Sequence, residues 1–70
     1  MSISSTLMTA AKKQAEGVVA VHKANIEVYL HNPAGIGEHS DVTEALMEEL
    51  DKLAAADDRL EMIRKYFAGY

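Results

Sequence analysis

The stretch "LHNPAGIGEHSD", residues 30–41, separates two long segments that show helical periodicity. Pro33 disfavours helical backbone angles at the residue before it, so the first helix is expected to end there. Gly35 and Gly37 can adopt the positive φ values that reverse the direction of a chain. The stretch therefore predicts a turn over residues 32–40 that joins two antiparallel helices.

A 4-3-4-3 spacing of mostly apolar residues follows this turn and predicts a second helix over residues 41–67. The stripe consists of Leu46, Leu50, Leu53, Asp57, Leu60, Arg64 and Phe67. Ser40 or Asp41 can cap the first turn, and Glu44 completes an arrangement like a capping box. Gly69 is a typical stop signal after the last turn.

The segment before the turn predicts a first helix over residues 4–31. One apolar stripe holds Met8, Ala11, Ala15, Val19, His22, Ile26 and Tyr29. A neighbouring stripe holds Leu7, Val18, Val21 and Val28. The alternating run "IEVYL", residues 26–30, also fits a strand. We favour helix because no second strand is available nearby to satisfy the backbone of an isolated one.

Together these patterns predict an all-α fold in which residues 1–70 form a single two-helix hairpin domain. The chain should reverse near Ile36. In that register Ile26 faces Leu46, and His22 faces Leu50.

Apolar residues occupy more than one face of each helix, and two helices alone cannot cover them all. The candidates for an interaction face are Val18, Val21, Val28, Ile36, Met47, Met62 and Tyr66. Leftover apolar surface on a small protein marks such a face. A homodimeric four-helix bundle and a groove on a different protein are both open solutions. A short chain without cysteine has no disulfide to stabilise it, which favours assembly.

His22 in the first helix and Asp57 in the second are polar residues at stripe positions where an apolar residue is expected. A buried carboxylate needs a partner, for which Lys12, Lys13 and Arg64 are candidates. We expect both residues to form a structural polar core in which Asp57 fixes the register or the oligomeric state. No nucleophile, cofactor motif or second carboxylate accompanies Asp57, so a catalytic role is not expected.

Three residues of metal-binding types lie around the turn. His31 and His39 flank it, and Glu38 is next to His39. These side chains are zinc ligands in many proteins, but their spacing is not that of a helical metal-binding pair. The glycines of the turn also lack the lysine of a phosphate-binding loop. We therefore expect no metal, no cofactor and no enzymatic activity.

The net charge is −4, and acidic residues concentrate at the start of the second helix. They are Glu38, Asp41, Glu44, Glu48, Glu49 and Asp51. The chain shows no basic face, so direct binding to nucleic acid is not expected. An alternative function is inhibition of a host protein through this acidic helix face, by imitation of nucleic acid. A solvated face that complements the helix dipole explains the same acids.

Membrane insertion is not expected, because no apolar run approaches the ~18 residues that a membrane-spanning helix needs. The first 14 residues lack a basic region followed by an apolar core, the pattern of a signal peptide. These observations predict a cytoplasmic protein.

The run "HKANIEVYLHNPAGIGEHSDVTEALMEELDKLAAADDRLEMIRKYF", residues 22–67, resembles a group of small uncharacterised proteins encoded by tailed phages of marine bacteria, including cyanobacterial phages. The resemblance rests on the "NPAGIGEH" turn, the acidic helix start after it and the closing "KYF". It implies a phage origin and a small helical protein, and it supplies no active-site residues. We therefore predict a non-enzymatic accessory or assembly protein of the host cytoplasm, which contacts itself and a phage or host protein.

Overall fold

The computed structural model of the chain describes residues 2–31 and 42–70. Helix α1 runs over Ile3–His31 and helix α2 over Val42–Phe67. The helices pack against each other in a rod that measures 51 × 17 × 15 Å. For the described residues, the predicted all-helical hairpin is confirmed.

The two helices are antiparallel. His22 and Asn25 of α1 bond to Glu49 near the start of α2, whereas Met8 shares a cleft with Phe67 at its end. The predicted turn over residues 32–40 lies outside the described residues. So do Ile36, Glu38, His39, Ser40 and Asp41.

Local hydrogen bonds mark the outer ends of the helices. The backbone amide of Ser5 donates to Ser2 Oγ at 3.1 Å, so Ser2 is the N-cap of α1. The helix therefore begins slightly earlier than predicted. After α2, the amide of Tyr70 donates to the carbonyl oxygen of Phe67 at 3.2 Å, in a turn that contains Gly69.

Both helices meet along a seam whose residues alternate at spacings of three and four, as in left-handed helix pairs. In α1 the seam consists of Met8, Ala11, Ala15, Val18, His22, Asn25 and Tyr29. In α2 it consists of Val42, Leu46, Glu49, Leu53, Ala56, Leu60 and Ile63. All of these side chains are buried or half-buried.

Small residues occupy the most closely packed part of the seam. Ala15 of α1 is 1% exposed and Ala56 of α2 is 2% exposed. Leu60 and Ile63 complete the buried apolar core next to them. No large side chain among the described residues is fully buried, so the core of the hairpin is thin.

The predicted inward face of α2 is wrong at alternate positions, although Leu46, Leu53 and Leu60 lie in the seam as expected. Its other members, Leu50, Asp57, Arg64 and Phe67, are exposed. The places of Leu50, Asp57 and Arg64 are taken by the residues one position earlier, so α2 is rotated relative to the prediction. This rotation buries Ala56 and Ile63 and leaves two charged groups in water, where their solvation is not lost. Asp57 therefore lies outside the core of the single hairpin, and its predicted effect on the oligomeric state stays a prediction.

Enlarging Ala56 should push the helices apart. Ala56→Leu adds buried volume at a tightly packed position and should lower the free energy of unfolding by about 1–3 kcal/mol. Ala54→Leu, at an exposed position one half-turn away in the same helix, should change it by less than about 0.5 kcal/mol. Urea denaturation followed by circular dichroism measures both. Equal stability of the two variants would contradict the seam described here.

Candidate functional site

A polar cluster interrupts the apolar seam, and its centre is the carboxylate of Glu49. Nδ1 of His22 bonds to one carboxylate oxygen of Glu49. Nδ2 of Asn25 donates to both oxygens, at 3.2 and 3.3 Å. The side chains of His22 and Glu49 are only 16% and 12% exposed. His22 thus lies between the helices, and its partner in the structure is Glu49 rather than Leu50.

These contacts change the acidity of Glu49. The hydrogen bond from His22 is the main influence that holds the pKa of Glu49 below its ordinary value. Burial of the carboxyl group acts in the opposite direction, and Asn25 and the positive charge of Lys52 reinforce the lowering. Glu49 is therefore ionised between the helices at neutral pH.

The cluster has the properties of a structural contact that holds the two helices together. Its carboxylate oxygens and its amide are engaged with one another, and no buried side-chain nitrogen or oxygen among the described residues lacks a partner. No group of three potential metal ligands occurs in residues 2–31 and 42–70. Of the predicted metal trio, His31 is exposed at the end of α1, and Glu38 and His39 lie outside the described residues.

The second notable feature is an uncharged stripe on the exposed surface of α1, here termed the outer stripe. It consists of Ile3, Leu7, Ala10, Gln14, Gly17, Val21, Ala24 and Val28. From Leu7 onwards each member immediately precedes a seam residue, so the outer stripe repeats the heptad spacing of the seam about 100° around the helix. From Leu7 onwards large and small residues alternate along it, and every member is exposed.

The outer stripe lies on the same side of the hairpin as part of α2. In an antiparallel helix pair, the residues of both helices that immediately precede a seam residue lie on one side of the pair. The residues that immediately follow a seam residue lie on the other side. The cleft at the open end of the hairpin agrees, because Thr9, Lys12, Glu16 and Arg64 line it together and each follows a seam residue. The α2 residues on the side of the outer stripe are Ala45, Glu48, Lys52, Ala55, Arg59, Met62 and Tyr66.

The predicted interaction residues are distributed unevenly between the two exposed sides of the hairpin. Val21 and Val28 belong to the outer stripe, and Met62 and Tyr66 lie on the same side of the hairpin. Met47 is exposed on the opposite side. Val18 is a half-buried seam residue, and Ile36 lies outside the described residues.

Gly17 is an unusual residue for the middle of the 29-residue helix α1. A glycine there lowers helix stability by about 0.5–1 kcal/mol relative to alanine. A Cβ atom at this position would meet no other atom of the described residues within 4 Å, so nothing in this part of the hairpin requires the absence of a side chain. Helix periodicity in the sequence did not reveal the outer stripe because Gly17 and Gln14 interrupt its apolar pattern.

The acidic run is only partly available as a binding face. Glu44, Glu48 and Asp51 are exposed on α2, whereas Glu49 is buried against His22. Within the described part of the chain, neither helix combines the length and apolarity needed to cross a membrane.

Comparisons with protein families, with curated proteins and with solved structures find no match to this chain.

The lowered pKa of Glu49 predicts acid sensitivity. Ionised Glu49 stabilises the fold above the pKa of an unfolded glutamate, about 4.3, and this contribution is lost as pH falls through the lower folded-state pKa. Glu49→Gln should therefore flatten the dependence of unfolding free energy on pH below about pH 4.3. Urea titrations at several acidic pH values measure this slope. Glu48→Gln, at the exposed neighbouring position, should keep the slope of the original chain. A slope for Glu49→Gln that is as steep as that of the original chain would contradict the prediction.

Proposed function

We propose that this chain is a non-enzymatic helical hairpin that works through protein–protein contacts, and that it first assembles with a second copy into a dimeric four-helix bundle. The observation that supports this proposal best is the amount of surface that the hairpin leaves exposed. Its accessible surface is 5241 Å² for a mass of 7.7 kDa. A compact monomer of this mass exposes about 4300 Å².

The excess surface has the size of a protein interface. It amounts to roughly 900 Å², against about 800 Å² that each partner loses in an interface of standard size. Eleven large apolar side chains among the described residues are exposed. They include Leu7 at 65%, Val21 at 55%, Val28 at 56% and Tyr66 at 62%. Burial of such side chains is the main favourable contribution to association.

The resemblance to small phage proteins suggests the setting of this role. We infer an accessory or assembly protein that acts in the cytoplasm of an infected host cell and binds a phage or host protein once assembled. The polar chemistry of the described residues is consistent with this role, because the Glu49 cluster is engaged in joining the two helices.

The proposal predicts a dimer in solution. Light scattering coupled to size-exclusion chromatography at micromolar concentration should give twice the chain mass of 7.7 kDa. Dilution should shift the mass towards that of the single chain, because association follows mass action. A single-chain mass over the whole micromolar range would contradict the proposal.

A second candidate function uses the exposed acids of α2. Glu44, Glu48 and Asp51 could imitate nucleic-acid phosphates and occupy a DNA-binding protein of the host. The observation that favours it is the high acid content near the start of α2, where Lys52 is the first basic residue. A like-charged partner surface would be repelled, so this candidate requires a basic protein.

This candidate can be tested by competition with DNA. The immobilised chain should retain DNA-binding proteins from a bacterial lysate, and double-stranded DNA should then elute them. Joint replacement of Glu44, Glu48 and Asp51 by lysine should abolish the retention. Joint replacement of Asp58 and Glu61 by lysine, at the other end of α2, is the matched control and should preserve it. Retention that survives the first replacement would exclude the acidic face as the binding surface.

A further inference from the structure

Charge is distributed unequally along the rod. The half far from the turn, residues 1–17 and 57–70, holds five basic and four acidic side chains, a net charge of +1. The half in which α1 ends and α2 begins, residues 18–31 and 42–56, holds two basic and five acidic side chains, a net charge of −3. Two copies packed side by side in the same direction would place both acidic halves together. Packing in opposite directions places each acidic half beside a weakly basic one, which is electrostatically favourable.

The outer stripe is complementary to itself in that opposite direction. It extends over 26 residues of α1, about 39 Å at 1.5 Å per residue, so it can meet a second α1 over most of its length. From Leu7 onwards its residues alternate in size every three or four positions. Reversal of a second copy brings the large residues of one stripe level with the small residues of the other, except in the outermost layer, where Ile3 meets Val28.

We propose that the dimer forms by antiparallel packing of α1 on α1 of a second copy along the outer stripe, with the two-fold axis between Gln14 and Gly17. This inference rests on the proposed dimer and specifies its interface and its direction. The layers are Ile3 with Val28, Leu7 with Ala24, Ala10 with Val21, and Gln14 with Gly17, each formed twice. The missing side chain of Gly17 then accommodates Gln14 of the second copy, which explains a glycine that nothing in the described part of the hairpin requires.

Charges next to the outer stripe are compatible with this arrangement. The flanking positions of α1 carry only two charged residues, Lys13 and Glu27. In the proposed register Lys13 lies level with Val18 to Ala20 of the second copy, and no like charges of the two α1 helices meet. The same packing brings Met62 and Tyr66 of α2, which share this side of the hairpin, towards the second copy.

Engineered cysteines test the interface, because the chain has no cysteine of its own. Ala10→Cys and Val21→Cys are exposed positions that the proposed register places opposite each other across the two copies. After subunit exchange and mild oxidation, a mixture of the two variants should give a disulfide-linked dimer. Either variant alone should give none, because two copies of the same position lie 11 residues apart along the axis, about 16 Å, beyond the reach of a disulfide.

A matched pair on the other side of α1 serves as the control. Lys12→Cys and Lys23→Cys are also exposed and have the same separation of 11 residues, but they do not lie on the outer stripe. Their mixture should remain unlinked. Linking of this pair to the same extent would overturn the assignment of the face. Linking of Ala10→Cys with itself would overturn the antiparallel direction.

Light scattering on the same unoxidised variants separates failure of this inference from failure of the proposed function. A dimer that gives no link between Ala10→Cys and Val21→Cys would overturn the α1–α1 interface and leave dimerisation intact. A single-chain mass would overturn the dimer itself and with it this interface.

Discussion

The carboxylate of Glu49 lies between the two helices and accepts hydrogen bonds from His22 and Asn25. Aliphatic and small side chains in the rest of the seam tolerate sliding and rotation, because apolar contact has little directional preference. A buried carboxylate has no such tolerance, since loss of its donors would leave an ionised group without water or partners. One cluster therefore determines both the axial alignment of the helices and the face that each presents.

The orientation imposed at this cluster also determines the surfaces of the hairpin. With Glu49 inside, Asp57 and Arg64 turn to the side lined by charged residues. The opposite side of α1 is left with an uncharged stripe of heptad spacing. The buried position of the Glu49 cluster and the exposed position of the outer stripe are thus both consequences of the same rotation of the helices. Any change that releases Glu49 would alter the exposed surface as well as the stability.

The sequence allowed prediction of the two helices, their approximate ends and their antiparallel pairing, because Pro33 and the heptad spacings report these features directly. It did not determine the rotation of α2. Two neighbouring heptad series in α2 share Leu46, Leu53 and Leu60. The residues between these leucines decide which series faces inward. When only the sequence is known, leucine is expected at an inward-facing position rather than glutamate, because burial of a lone carboxylate is unfavourable.

The preference for Glu49 becomes understandable only when its donors are known. They come from α1, more than 20 positions earlier in the chain, and periodicity within α2 carries no information about them. The outer stripe was partly anticipated through Val21 and Val28. Its extent was not, because Gln14 and Gly17 interrupt the apolar pattern, and their place on one exposed face follows only from the orientation of α1 against α2.

The heptad seam also limits how the length of this protein can change. Insertion of one residue into α2 would rotate everything beyond it by about 100° and displace Leu60 and Ile63 from the seam. Addition or removal of seven residues in both helices, at matching levels, would keep every remaining contact and change the rod by about 10 Å. The length of the rod can thus change only in discrete steps, with the Glu49 cluster as the fixed reference point.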